Sequence, residues 1–191
     1  MTFIEIADKI FNNSNQVIFG TNDNWQIDVF KANWFTYLDK PRPNAPGLYW
    51  FLTDSNITKI ERPTSLPNKG CDFEITTKNN LQIFPNYLLS ELNVNGLKVV
   101  YNGHENNVMN RVRQHFNLSN NNTGALGIKH YKLLSNKNWV LKYFTTKDIG
   151  ALGLDNSAQD VILNLLNSKT GRSALENAWR IKNGWPILCK K

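Results

Sequence analysis

A chain of 191 residues suits one domain with a sizeable insertion, and 41% hydrophobic residues, 12% of the chain being aromatic, can build a substantial core. Its 22 Lys and Arg against 15 Asp and Glu leave a net charge of +7, which points to an anionic partner such as nucleic acid. No apolar run is long enough to span a bilayer, and Cys71 and Cys189 are too few for a disulfide framework or a zinc site, so a reducing, cytoplasmic setting is expected.

Thr2 and Glu5 have the spacing of a capping box, and Phe3, Ala7, Ile10 and Phe11 then mark a short amphipathic helix. Glu5 and Asp8 inside that pattern argue against a secretory signal. A polar turn at 12–15 precedes a short strand at 17–19. Residues 25–35 mix aromatic and polar side chains without a clear period. Pro41, Pro43 and Pro46 form a stiff linker, so residues 1–45 read as an N-terminal extension and 46–191 as the main domain.

Residues 47–53 are the first strong strand, with Leu48, Trp50 and Leu52 on one face and Tyr49 and Phe51 on the other. Residues 54–96 read as an insertion carrying its own small sheet. Strands are expected in it at 57–60 and 73–76, turns at Pro63, 67–70 and 78–80, and an apolar stretch at 87–92. A buried strand follows at 97–101, and Asn102-Gly103 is expected to break it. From Asn106 on, Val108, Met109, Val112 and Phe116 recur at the helical period, and Arg111 and His115 leave the same helix face.

A polar loop is expected at 117–123, a helix at 125–134 and a strand at 139–144. After a breaker at 150–153, residues 155–157 cap a helix containing Val161, Ile162, Leu165 and Leu166. A last helix is expected from near Ser173, with Leu175, Ala178 and Trp179 apolar, stopped by Gly184 and Pro186. It carries Glu176 one position off the apolar set.

Two tyrosine-bearing strands, a helix with an Arg and a His, and a later helix with a Glu suit phosphodiester hydrolysis. An Arg binds the phosphate with two donors and stabilises transition-state charge. A carboxylate holds a divalent metal, and a Tyr or His takes or relays a proton. A tyrosine is a poor base unless cationic neighbours lower its pKa, and Arg111 is expected to do so. Each residue also has a plainer reading. Tyr49 and Tyr101 suit half-buried sheet aromatics, Arg111 a solvated charge, and His104, His115 and His130 structural roles. Glu176 could pair with Arg180 at i,i+4 or close a capping box with Ser173.

In order and spacing the chain resembles the GIY-YIG nucleases. The first motif appears as Gly47-Leu48-Tyr49 and the second as Tyr101-Asn102-Gly103. Arg111 and His115 fall at the family's usual distance from the glycine, Glu176 is the best match to the metal-binding Glu, and His104 resembles a polar residue found after the glycine in some members. Three departures accompany the match. Asn102 replaces an aliphatic residue, the insertion separates motifs that are normally close, and Cys189 stands in the P-I-L-C stretch where many members carry an Asn.

The resemblance implies an α/β fold: a small, mainly antiparallel sheet flanked by helices, here with an N-terminal extension and a long insertion. It implies a metal-dependent DNA endonuclease, restriction-type in the absence of a separate DNA-binding tail, that uses Mg2+ or Mn2+. Tyr49 and Tyr101 would line the site, one as general base. Arg111 would bind the phosphate, Glu176 the metal, and His115 would relay a proton or position a tyrosine. The expected partner is double-stranded DNA, with a homodimer at least on DNA so that both strands are cut. Ten basic residues of the C-terminal half, from Lys129 to Lys191, would contact phosphates. The alternative from another class is a catalytically inactive nucleic-acid-binding module on the same scaffold.

Overall fold

The computed structural model describes residues 1–19, 45–118, 124–131, 134 and 139–190. The readings for 25–35, Pro41 and Pro43, most of 117–123, and Lys132, Lys137 and Lys191 lie outside these residues.

The fold is α/β. Five strands form one sheet: β1 (Asn15–Phe19), β2 (Gly47–Thr53), β3 (Asn93–Val94), β4 (Leu97–Glu105) and β5 (Trp139–Thr145). Their order is β1-β5-β2-β4-β3, and each of these pairings is antiparallel. Among the described residues five α-helices accompany it: α1 (Phe3–Asn12), α2 (Phe73–Ile83), α3 (Val108–Asn117), α4 (Asn156–Asn167) and α5 (Lys169–Asn183). Each begins at a side chain that accepts an otherwise unpaired first-turn N–H: Thr2, Asp72, Asn107, Asp155 and Ser168.

β2 lies at the centre, and all seven of its residues are buried. Its alternation divides the core in two, as the sequence indicated. Tyr49 and Phe51 join Val108, Val112 and Phe116 of α3 on one face. Leu48, Trp50 and Leu52 join residues of α1, α4 and α5 on the other, among them Phe11, Ile162 and Trp179. Close strand approach sets the identity of Gly47, where a Cβ would stand 2.0 Å from the Phe144 carbonyl oxygen.

The segment ahead of Pro46 contributes to this architecture. β1 pairs with β5 along its whole length, and Lys182 of α5 forms an ion pair with Asp8 of α1. Phe11 packs edge-on to Trp50 at 5.1 Å between ring centroids.

The region 54–96 differs from expectation. It has no sheet of its own among the described residues and gives the main sheet only β3. Residues 57–60 hold a single 3-10 turn, and 73–76 belong to α2, which continues through 78–80. The β-branched run Ile75-Thr76-Thr77 suggested a strand. The buried face of α2 is Phe73, Thr76, Thr77 and Asn80, helically spaced but mostly polar, so no apolar period marks it.

Three other boundaries move. Residues 125–134 hold a 3-10 turn at Ile128–His130 and no α-helix among the described residues, since Gly127 before it takes a left-handed φ of 66°. β4 does not break at Asn102-Gly103 but runs on to Glu105, because β2 pairs with every residue from Tyr101 to Glu105. α5 starts at Lys169, since Ser168 caps it and leaves Ser173 inside the helix.

β3 covers only Leu97 and Lys98 of β4. Beyond them the C-terminal segment shields the edge. Leu188 N–H donates to the Val100 carbonyl at 2.9 Å, and Asn102 N–H donates to Cys189 Sγ at 3.3 Å. Asn80 of α2 pins that segment by donating to the Ile187 and Cys189 carbonyls at 2.7 and 3.0 Å. Both cysteines are free and buried. Among the described residues no helix is long and apolar enough to cross a membrane.

Candidate active site

On the α3 face of the sheet, Tyr49 is set opposite Gly103 in the β2–β4 register. A Cβ at Gly103 would lie 2.5 Å from the Tyr49 hydroxyl oxygen, so glycine lets the phenol cross β4 toward α3. There Tyr49 Oη meets His115 Nε2 at 2.9 Å. The Leu126 N–H donates to His115 Nδ1 at 3.2 Å. A backbone N–H can only donate, so Nδ1 is the bare nitrogen and a neutral ring carries its proton on Nε2. His115 therefore donates to Tyr49. The Tyr101 ring stacks beside that of Tyr49, with 6.2 Å between centroids, and meets the His115 ring at 4.8 Å. The hydrogen-bond chain Leu126–His115–Tyr49 thus runs to Tyr49 Oη, beside Tyr101.

Burial, first of all, pushes both phenols above their ordinary value. Arg111 opposes that shift in both but does not overcome it, which corrects the expectation that it brings a tyrosine down. Burial, and then Arg111, hold His115 well below its usual value, so the ring is neutral at physiological pH. Arg111, partly buried on α3, donates to Gln114 Oε1 at 3.0 Å.

On the opposite face, α5 presents Glu176, which is buried. Arg180, one turn on, donates to Glu176 Oε1, so the i,i+4 pairing holds, while the capping role with Ser173 does not. His104 Nε2 lies 3.5 Å from Glu176 Oε2. Burial and Arg172 lower the His104 pKa, so at neutral pH this contact joins a neutral imidazole to a carboxylate. Burial raises the Glu176 pKa against the pull of Arg180.

The two faces meet at the β4 edge, in a cleft of about 310 Å³ lined by Cys71, Tyr101, Asn102, Glu176, Arg180 and Lys190, with others. Tyr101 reaches it from one side of the sheet, Glu176 from the other. Tyr49 and His115 are fully buried behind Tyr101, and His104 supports Glu176 from β4. The charges of Arg111 and Glu176 both act on Tyr49 and Tyr101, so the groups predicted from sequence gather in one region.

Sequence reasoning counted Arg180 and Lys190 only among the basic residues that would contact phosphates, and assigned no site role to Asn102, Cys189 or the Leu126 N–H. Asn102 and Cys189 did carry a signal, as departures from the motif pattern. Burial pushes the Cys189 thiol up to about 12, so it stays protonated and lies 3.2 Å from the acceptor Asn102 Oδ1. Among the described residues no three His, Cys, Asp or Glu groups cluster as a protein-only metal cage. A single carboxylate suits Mg2+, which is commonly held by one or two carboxylates together with substrate phosphates and water.

Comparison of the chain with models of known families, with curated proteins and with solved structures finds no match.

Proposed function

We propose that this protein is a GIY-YIG-type endonuclease that hydrolyses phosphodiester bonds of double-stranded DNA with a divalent metal, as a restriction enzyme does at a short duplex site. One observation carries the reading: Tyr101, backed by the hydrogen-bonded Tyr49–His115 pair, and Glu176, from the other face of the sheet, line the same cleft.

In this reading Tyr101 is the general base. Attack of water on phosphorus forms one P–O bond and breaks another. The water's proton passes to Tyr101 Oη, and the leaving oxygen departs with a proton from solvent. Tyr49 and His115 pack against the Tyr101 ring and position it. Arg111 stabilises charge on the phosphate. Glu176 would hold the metal, which when bound polarises the phosphoryl oxygen and neutralises charge on the leaving group. The net charge of +7 supports salt-dependent affinity for the backbone. Cutting both strands calls for two such sites, hence a homodimer on DNA.

Plasmid cleavage in Mg2+, with and without chelator, tests this reading. Arg111→Ala and Glu176→Ala are each expected to abolish cleavage while duplex DNA retention in a gel shift persists. Full cleavage by both variants would remove the proposed site. The ion pair between Arg180 and Glu176 favours a second reading, a nucleic-acid-binding module that lost its chemistry, because it neutralises the carboxylate. Binding without any metal-dependent cutting would decide for that module.

A further inference from the structure

The two substitutions in the motif pattern, at 102 and 189, are physically one feature. Asn102 Oδ1 faces Cys189 Sγ at 3.2 Å and accepts from Arg180 Nε at 2.9 Å. Arg180 also donates to Glu176 Oε1, and its guanidinium lies 4.2 Å from the centre of the Trp185 ring. An aliphatic side chain at 102 offers no acceptor, so the asparagine is what allows a guanidinium to be fixed beside β4.

A guanidinium has five N–H donors, and these contacts leave donors over for a ligand in the cleft that Arg180 lines. Arg180 and Lys190 outnumber Glu176 in formal charge at that cleft. The orientation is set before any ligand arrives, which spares the ordering cost of a long side chain. Phosphate is the ligand that a planar, pre-oriented, cationic fork suits best.

We propose that Arg180, held by Asn102, is a second phosphate-binding guanidinium, a subsite for a DNA backbone phosphate distinct from the one Arg111 serves. The choice of DNA as ligand rests on the nuclease reading, but the subsite does not depend on cleavage.

The test is binding of a fluorescent DNA duplex, in chelator, followed by anisotropy over a salt series. Arg180→Met is expected to weaken binding about fivefold to tenfold for every duplex sequence alike, and to flatten the plot of log affinity against log salt by about one. Arg180→Lys keeps the charge and should retain the slope while losing about threefold in affinity, because a point charge replaces a fixed fork. Asn102→Val should weaken binding in the same range as Arg180→Lys. Wild-type affinity and slope in Arg180→Met and Asn102→Val would overturn the subsite. Should a thermal melt show Arg180→Met unfolded, Arg180→Lys decides, and wild-type affinity there overturns the proposal. Plasmid cutting by the wild-type protein reports separately on the nuclease reading. An inert protein whose DNA affinity depends on Arg180 keeps the subsite and loses the nuclease, and an active one indifferent to Arg180 does the reverse.

Discussion

The Tyr49 phenol lies across the backbone of Gly103, so close that a methyl group there would come within 2.5 Å of the hydroxyl oxygen. The second-motif glycine thus acts through tyrosine placement, since β4 is regular strand at that point. Gly103→Ala should keep the sheet but push Tyr49 off His115. We expect a loss of about 1–3 kcal/mol in a denaturant melt, typical of overpacking, together with loss of plasmid cleavage. A variant with wild-type melt and wild-type cutting would show that the phenol has room to spare.

Their surroundings separate the two tyrosines: Tyr101 lines the cleft, and Tyr49 is buried on His115. Tyr101→Phe removes the proposed base itself and should lower kcat by about 10²–10⁴ with little change in the melt. Tyr49→Phe leaves the buried His115 Nε2–H without its acceptor and should cost about 1–3 kcal/mol of stability as well as rate. Equal rate losses with equal stability losses would put both hydroxyls in the same role.

Because burial holds the Tyr101 pKa above its ordinary value, its phenolate is scarce at neutral pH. The single-turnover cleavage rate should therefore rise with pH between about 6 and 9, approaching tenfold per unit when the phenolate is the only reactive form. Tyr101→Phe should show a flat residual rate. A wild-type rate that falls across this range would assign the base elsewhere.

His115 links stability to pH in a defined direction. Its native pKa is depressed, so below the unfolded value of about 6.5 the unfolded chain binds a proton that the native state refuses. Its contribution is complete above that value and is lost as pH falls, by up to about 1.4 kcal/mol per unit. Denaturant melts from pH 7.5 to 5 should show this loss, and His115→Gln, less stable at pH 7.5, should show a shallower dependence. Parallel curves for the two proteins would mean that His115 is not the linked group.

Asn80 ties α2 to the segment that covers the β4 edge, through two carbonyls of 187–189. Asn80→Ala should cost about 1–3 kcal/mol and speed hydrogen exchange at Leu188 and Asn102, whose N–H groups lie along that edge. Unchanged exchange there would show that the segment is held by other contacts.

The strands at 47–53 and 139–144 and the helices bearing Arg111 and Glu176 were legible because their apolar spacing repeats at two or near four residues. α2 was not, because its buried positions include Thr76, Thr77 and Asn80, whose burial is repaid by specific hydrogen bonds rather than by apolar area. The continuation of β4 through Gly103 was hidden as well. Glycine signals a turn locally, and only the facing Tyr49 ring explains it within a strand.

Composition and periodicity by themselves determined the basic character, the two-faced central strand, most helix starts and the order in which the tyrosines, Arg111, His115 and Glu176 follow one another. Tertiary structure alone decided that Glu176 and Tyr101, from opposite faces of one sheet, open onto a common cleft. It also decided that Asn102, Cys189 and Arg180 form one contact set. Local patterns report which face a residue occupies. They carry no information about where a sheet ends, and it is around the edge of β4, beyond the residues β3 covers, that the two faces come together.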